Sequence, residues 1–312
     1  MAADPNLPAV RRVVLAGGNG LLGRRLAEAL RGEGTRVQVL SRDPARARVP
    51  EGVDVVPWTG LGPLLDGADA VVNLAGEGIA DRRWTPVRRE AILRSRLYST
   101  RRLVEALDAT RKRPSVLVNA SATGFYGGRD EVPVDESSPP GTGFLPEVCR
   151  AWEAEADRAS ALGLRVVKVR IGIVLAREGG ALVPLARAAR CFQGAKLGDG
   201  RQGFPWIHLD DLLAVFLRAV KDPALAGAVN AVAPQLLSNE AFTRALCRAV
   251  HRPYLALAPG WATALGARVL KGEMASELLL QGAYVRPRRL EAVGFPFRFP
   301  TADAALEDLC HA

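Results

Sequence analysis

The chain has 312 residues, of which 48% are hydrophobic and 24% are charged, and its formal net charge is +9. This composition is typical of a globular protein, and the length favours one catalytic domain with an appended lobe over three domains. No apolar run approaches the ~20 residues of a membrane span, so we expect no membrane contact. Because the basic residues are spread among acids without a dense run, nucleic-acid binding is only a minor alternative.

The cysteines and histidines form no recognisable metal-binding pattern. The four cysteines lack a Cys-x-x-Cys pair, and the three histidines have no ligand spacing among themselves or with the cysteines. We therefore expect reduced thiols, no structural metal and a cytoplasmic location. Residues 1–9 lack the apolar centre of a signal peptide and are expected to form a tail.

Runs rich in β-branched residues alternate with helical patterns, as in a parallel sheet covered by helices on both faces. The predicted strands are 12–16, 36–40, 53–56, 70–74, 116–120, 165–169 and 228–232, and helices are predicted at 88–108, 147–162 and 212–220. The predicted fold class is therefore α/β, a Rossmann-type doubly wound parallel sheet. Ligands of such sheets bind beyond the carboxyl ends of the strands.

The alternation becomes looser after Leu175, where glycine, proline and tryptophan residues indicate loops and short helices. We predict a nucleotide-binding core over 10–176, to which 207–235 returns. The segments 177–206 and 236–312 are predicted to form a smaller substrate-binding lobe at the carboxyl end of the chain.

A glycine-rich turn directly follows the first predicted strand. In a dinucleotide-binding turn, one glycine turns the chain, one lets the backbone approach a diphosphate, and one lets the helix pack on the strand. The diphosphate then meets the free amides of the helix N-terminus. The residues predicted to bind it are Gly17, Asn19, Gly20, Leu21, Leu22 and Gly23.

The end of the second predicted strand indicates which dinucleotide binds. Sheets that bind NAD usually have an acid there for the ribose hydroxyls, whereas this chain has Ser41 and Arg42. Because a guanidinium can hold a 2′-phosphate through two charge-assisted hydrogen bonds, we predict NADP(H) as the cofactor. The alternative is that Arg42 is an ordinary solvated arginine.

Several separate motifs resemble the extended short-chain dehydrogenases/reductases, and in particular an epimerase-like, cell-division-inhibitor-like subgroup that includes a mammalian NADP-binding member. Besides the glycine turn, they are Asn-Leu-Ala-Gly-Glu at 73–77, Ser-Ala-Thr-Gly-Phe-Tyr-Gly at 121–127, the segments 170–175 and 204–211, Arg83-Trp84, Ser95-Arg96 and the C-terminal segments 272–273, 281–287 and 294–295. The resemblance covers nearly the whole chain.

The resemblance implies further contacts with the cofactor. Besides Ser41 and Arg42, it implies contacts at Leu74, Ala75, Gly76, Arg96 and Val174. Position alone leaves simpler alternatives open. Leu74 and Ala75 could only end a strand, and Arg96 could be a surface arginine.

The chain departs from this superfamily in its proton-transfer residues. Such enzymes usually contain a Tyr-x-x-x-Lys pair with a serine or threonine, and the lysine lowers the tyrosine's pKa for acid-base work. None of the four tyrosines here has a lysine four residues later. The predicted substitutes are Tyr126, and Ser121 and Thr123, which flank Ala122 at the position that usually carries the hydroxyl.

Other polar residues near this position have structural alternatives. Glu153 could be a helix-surface acid and Cys149 a buried apolar residue. His208 and Asp210 could form a catalytic pair, but Asp210 more simply caps the helix that follows and His208 braces its loop.

Together these features predict an NADP(H)-dependent oxidoreductase or epimerase-like enzyme that transfers hydride to or from a small organic substrate. The alternative is a regulatory or sensor protein that binds NADP(H) without turnover. A strict nucleotide-sugar epimerase is less favoured, since that chemistry needs the missing proton relay. We expect a monomer or homodimer.

Overall fold

The structure is a computed structural model, and it describes residues 7–129, 131–191, 194, 196–255, 274, 277 and 280–310. Among these residues, seven parallel strands form one sheet in the order β10-β6-β5-β4-β1-β2-β3. The strands are β1 (Arg12–Ala16), β2 (Arg36–Ser41), β3 (Asp54–Pro57), β4 (Ala70–Asn73), β5 (Val116–Ala122), β6 (Arg165–Ile171) and β10 (Gly227–Ala231). The predicted fold class is confirmed.

Helices cover both faces of this sheet because successive side chains of a buried strand point to opposite faces. Val13 and Leu15 pack with the helices α1 (Leu21–Gly32) and α6 (Leu209–Lys221). Val14 packs on the other face. The helices there are α2 (Leu61–Leu65), α3 (Pro86–Asp108) and α4 (Phe144–Asp157).

A second, three-stranded sheet lies beside the first and has its own apolar cluster. Its strands are β7 (Ile173–Ala176), β8 (Gly179–Gly180) and β9 (Trp206–His208), in the order β8-β7-β9. The remaining described helices are α5 (Leu182–Arg190), α7 (Asn239–Ala249), α8 (Arg288–Ala292) and α9 (Ala302–Cys310). The boundary proposed between a core and a smaller lobe stays a prediction, and residues 256–273 of that lobe lie outside the described residues.

Polar side chains tie the end of β4 to its neighbours beneath the carboxyl edge of the sheet. The amide nitrogen of Asn73 donates to Thr100 Oγ1 at 2.9 Å and to Asn119 Oδ1 at 2.7 Å. Trp152 Nε1 donates to the same threonine oxygen at 3.0 Å. Because buried polar groups need partners, this cluster fixes the relative positions of β4, β5, α3 and α4.

Gly17 brings the turn after β1 directly against the end of β4. Its φ is +84°, and a Cβ at this position would lie 2.6 Å from the carbonyl carbon of Leu74. Gly34 has nearly the same φ, +83°, but no heavy atom within 4 Å of an added Cβ. Comparing alanine substitutions at the two glycines therefore distinguishes the cost of a left-handed side chain from the cost of filling the space at Gly17.

We predict that Gly34→Ala lowers the free energy of unfolding by about 1–2 kcal/mol, the cost of a left-handed alanine. Gly17→Ala should cost about 1–3 kcal/mol more, because its methyl group overpacks the end of β4. Urea unfolding of both variants measures the difference. Equal losses would contradict the close approach.

Candidate functional site

A cavity of about 290 Å³ opens at the carboxyl ends of β1, β4 and β5. Of the predicted site residues, the structure brings together along its wall Gly17, Gly20, Leu21, Leu22, Gly23, Leu74, Arg96 and Ser121. These come from four separate stretches of the chain. The prediction that ligands bind at this edge of the sheet therefore has a matching cavity.

The turn between β1 and α1 fits a bound diphosphate. An added Cβ on Gly23 would lie 2.3 Å from the oxygen of Gly17, so this glycine allows the helix to pack against the turn. Gly20 has open space instead, with only the Gly17 oxygen nearby at 3.8 Å. No side chain of the described residues caps α1 at Gly20, which leaves its first amides for a ligand.

Ser41 and Arg42 stand where β2 ends, outside the cavity wall. Ser41 is buried, and its hydroxyl donates to the oxygen of Asp43 at 2.9 Å. Arg42 is exposed and forms no ion pair within the part of the chain that the structure describes. Its guanidinium is therefore free to meet an anion beyond the strand end.

Arg96 is a cavity residue, so the alternative of a surface arginine is wrong. Its NH1 donates to the backbone oxygens of Glu77 and Ile92, both at 3.0 Å, and its guanidinium lies 5.0 Å from the Trp152 ring centroid. Burial lowers the pKa of Arg96, and Cys149 and Glu77 oppose that shift. An added Cβ on Gly76 would lie 3.1 Å from the Arg96 guanidinium carbon, so this glycine leaves room for it.

The remaining predicted cofactor residues surround the cavity without lining it. The backbone nitrogen of Ala75 donates a hydrogen bond to Asn73 Oδ1 at 3.1 Å. Val174 lies in β7, where its oxygen accepts from the Ala181 nitrogen at 3.3 Å. Their contacts with a cofactor, like those of Asn19 and Gly76, stay predictions.

One face of α4 forms a wall that the predicted site residues do not include. Leu145, Val148, Cys149 and Trp152 line the cavity. Their spacing is that of one helix face, which a search for helical periodicity could have found. Leu145 and Cys149, one turn apart, have the spacing of the usual tyrosine and lysine, so an apolar side chain and a thiol occupy that face here.

The three predicted hydroxyl groups differ in their access to the cavity. Ser121 lines it and donates to Glu153 Oε1 at 2.7 Å. Thr123 is half-buried, and its hydroxyl donates to the Ile171 oxygen at 3.4 Å. Of the three predicted hydroxyl residues, only Ser121 lines the cavity.

Tyr126 lies away from the cavity and is fully buried. Its hydroxyl donates to Asn230 Oδ1 at 2.7 Å and accepts from Arg170 NH1 at 2.9 Å. Burial raises the pKa of Tyr126 to about 12, although Arg170 opposes the shift. The catalytic role predicted for Tyr126 stays a prediction, and this geometry disfavours it because the hydroxyl has both its partners inside the protein.

Glu153 is not the helix-surface acid that the sequence left open. It is 4% exposed and forms a two-pronged ion pair with Arg170, with Nε–Oε1 at 2.8 Å and NH2–Oε2 at 2.9 Å. Arg170 comes from β6, the strand that lies between β5 and β10. Cys149 is buried beside this pair, and burial raises the pKa of its thiol to about 11, so it stays neutral.

His208 has a structural role, but it is this histidine and not Asp210 that caps the helix. The histidine itself caps α6, since its Nδ1 accepts from the Asp210 nitrogen at 3.0 Å. Its ring stacks on Phe299 with centroids 3.9 Å apart. Asp210 pairs instead with Arg298 at 3.1 Å.

Of the helices within the described ranges, none is both long and apolar enough to cross a membrane. The same residues contain no cluster of three or more potential metal ligands.

This fold and cavity define a nucleotide-binding protein of the Rossmann type. Residues 13–232 match the model of the NAD dependent epimerase/dehydratase family, and 259–309 match a domain of unknown function called DUF1731. The chain belongs to the NAD dependent epimerase/dehydratase family, which confirms the resemblance found in its motifs.

Relatives match along almost the entire chain. An epimerase family protein of Mycobacterium bovis is 38% identical over 94% of this chain and 96% of its own length. A chloroplastic SDR39U1 homologue of Arabidopsis thaliana is 35% identical over 94% of this chain and 85% of its own. The crystal structure of human SDR39U1 with NADPH is 32% identical, covers 96% of this chain and 99% of that one, and has a TM-score of 0.85.

We predict that Gly20→Val abolishes dinucleotide binding while the protein stays folded, because the new side chain fills space that only a ligand would use. Gly32→Val, at the exposed end of the same helix with no atom within 4 Å, is the matched control. Fluorescence titration with NADPH and thermal unfolding measure both properties. Unchanged affinity in Gly20→Val would place the phosphates elsewhere.

Proposed function

We propose that this protein is an NADP(H)-dependent oxidoreductase or epimerase-like enzyme acting on a small organic substrate by hydride transfer. The observation that carries the proposal is the cavity in which the glycine turn, Arg96 and Ser121 meet at the carboxyl edge of the sheet. The family and the NADPH of the human relative support it. When bound, the nicotinamide supplies or accepts the hydride.

The preference for NADP(H) rests on the end of β2. Arg42 would hold the 2′-phosphate, with Ser41 behind it in a turn closed by its own hydroxyl. The amides of Leu21 and Leu22 would hold the diphosphate, since no side chain of the described residues caps this helix. Leu74, Ala75 and Gly76, which follow β4, would lie beside the bound cofactor.

The substrate end of the cavity favours a small, largely apolar compound. Its walls include Ile79, Leu145, Val148 and Ile171, and the polar side chains near them are Arg96, Ser121 and Cys149. Such a lining suits a carbonyl compound or alcohol whose oxygen reaches Ser121 better than a sugar with many hydroxyl groups. Because Leu145 and Cys149 stand at the spacing of the usual proton relay, nucleotide-sugar epimerisation has less support.

Binding without turnover is the second candidate, and the same replacement of tyrosine and lysine motivates it. The expected cytoplasmic location and the monomeric or homodimeric state remain predictions. The plant relative is described as chloroplastic.

We predict that NADPH binds at least tenfold more tightly than NADH, a difference of about 1.4 kcal/mol that one phosphate–arginine contact can supply. Arg42→Asp should remove this preference. Arg11→Asp makes the same charge change just before β1, at the opposite edge of the sheet, and should preserve the preference. Titration with both cofactors measures this preference, and equal affinities in the unaltered protein would contradict the role proposed for Arg42.

Turnover is tested by NADPH oxidation with a panel of quinones, enones and other carbonyl compounds. Ser121→Ala should reduce turnover by ~10²–10⁴, typical of a lost acid-base group, with little change in NADPH affinity. Thr123→Val and Tyr126→Phe test the other predicted hydroxyl groups. If turnover fell only in one of these two variants, the acid-base role would belong to that residue. Tight NADPH binding without any turnover would favour the sensor protein.

A further inference from the structure

A buried charge pair stands directly behind the cavity wall. Glu153 on α4 and Arg170 on β6 are each 4% exposed, and two hydrogen bonds join them. The guanidinium also lies over the Phe125 ring, 3.4 Å from its centroid. Apolar residues of similar volume often replace such a pair without loss of stability, so packing alone does not explain why charges are kept here.

Ser121 connects this pair to the cavity. Its hydroxyl donates to Glu153 Oε1 at 2.7 Å, while the same residue lines the cavity wall. Because its hydrogen points at the carboxylate, Ser121 Oγ can still accept a hydrogen from the cavity, where the neighbouring Cys149 thiol is also within hydrogen-bond reach of it. An alcohol in the cavity would therefore meet an acceptor, with a carboxylate one hydrogen bond behind it.

A proton that reaches Glu153 can go no further along this network. Arg170 does not release protons under ordinary conditions, and its NH1 donates to the Tyr126 oxygen at 2.9 Å. Tyr126 in turn donates to Asn230 Oδ1. The other titratable group beside Glu153 is the Cys149 thiol, which burial keeps protonated through its raised pKa of about 11.

We propose that Glu153 takes up and returns the proton of the reaction through Ser121, in place of the missing tyrosine and lysine. This proposal rests on the proposed function and names a residue on α4 that does not itself touch the substrate. It assigns a role to the charge pair that fold stability leaves unexplained.

The transfer balances in both directions. For an alcohol, the carbon-bound hydrogen leaves with its electron pair for the oxidised NADP of the proposed function, and the C=O bond forms. The hydroxyl proton passes to Ser121 Oγ as the serine's own proton passes to Glu153 Oε1. For a carbonyl compound, the protonated Glu153 returns its proton through Ser121 to the substrate oxygen as hydride reaches carbon. Between turnovers, Glu153 exchanges its proton with solvent water in the open cavity by the same path through Ser121.

The first test is Glu153→Gln, which keeps the shape but cannot hold the proton. Turnover should fall at least 100-fold while NADPH affinity stays unchanged. Glu155→Gln is the matched control on the same helix, since Glu155 pairs with Arg101 and Arg158. Full turnover in Glu153→Gln would overturn the proposal.

The second test asks whether Glu153 acts through Ser121. The double variant Ser121→Ala/Glu153→Gln should be no slower than either single variant, because both belong to one path. Losses that multiply would contradict the relay.

A third measurement needs neither cofactor nor turnover. The Ser121 hydroxyl proton should exchange slowly in NMR spectra of the unliganded protein. Its signal should survive in Glu155→Gln but disappear in Glu153→Leu/Arg170→Met, which removes the acceptor. If Glu153→Gln fails to fold, Glu153→Leu/Arg170→Met removes both charges together and should fold, bind NADPH and lack turnover. If that double variant retained turnover, the relay would be overturned. Failure of NADPH to bind the unaltered protein would instead count against the proposed function.

Discussion

The close approach of the β1–α1 turn to the end of β4 is the constraint on which the site depends. β1 pairs in parallel with β4, so that Ala16 lies beside Asn73. A backbone without a side chain at Gly17 then fits against Leu74. This contact brings the N-terminus of α1, with its free amides, to the same edge as the ends of β4 and β5. The cavity is the space that these parts leave between them.

Below that edge, two clusters of buried polar side chains find their hydrogen-bond partners within the protein. Asn73, Asn119 and Thr100 form one cluster, and Trp152 joins it through its indole nitrogen. Glu153 and Arg170 form the other, nearer to Ser121. Satisfied networks of this kind rigidify the surrounding residues, which is how a cavity wall keeps its shape before a ligand binds.

The strands were predictable because each is a short run of apolar, often β-branched residues that local sequence defines. All seven predicted strands are present, and their ends differ from the observed ones by no more than two residues. The corrections concern single side chains whose partners the local pattern does not reveal. His208 caps α6 in place of Asp210, and Glu153 is buried because it pairs with Arg170 of β6.

By itself, the sequence determined the parallel α/β sheet, the glycine turn, the exposed arginine after β2 and the absence of a Tyr-x-x-x-Lys pair, since local patterns and residue types carry all of these. Only the tertiary structure decided which hydroxyl group reaches the cavity. Ser121 and Tyr126 are five positions apart, yet one lines the wall and the other is enclosed with Asn230. The physical reason is that burial and hydrogen-bond partners depend on how β5 and the residues after it pack against α4, β6 and β10, which no local pattern contains.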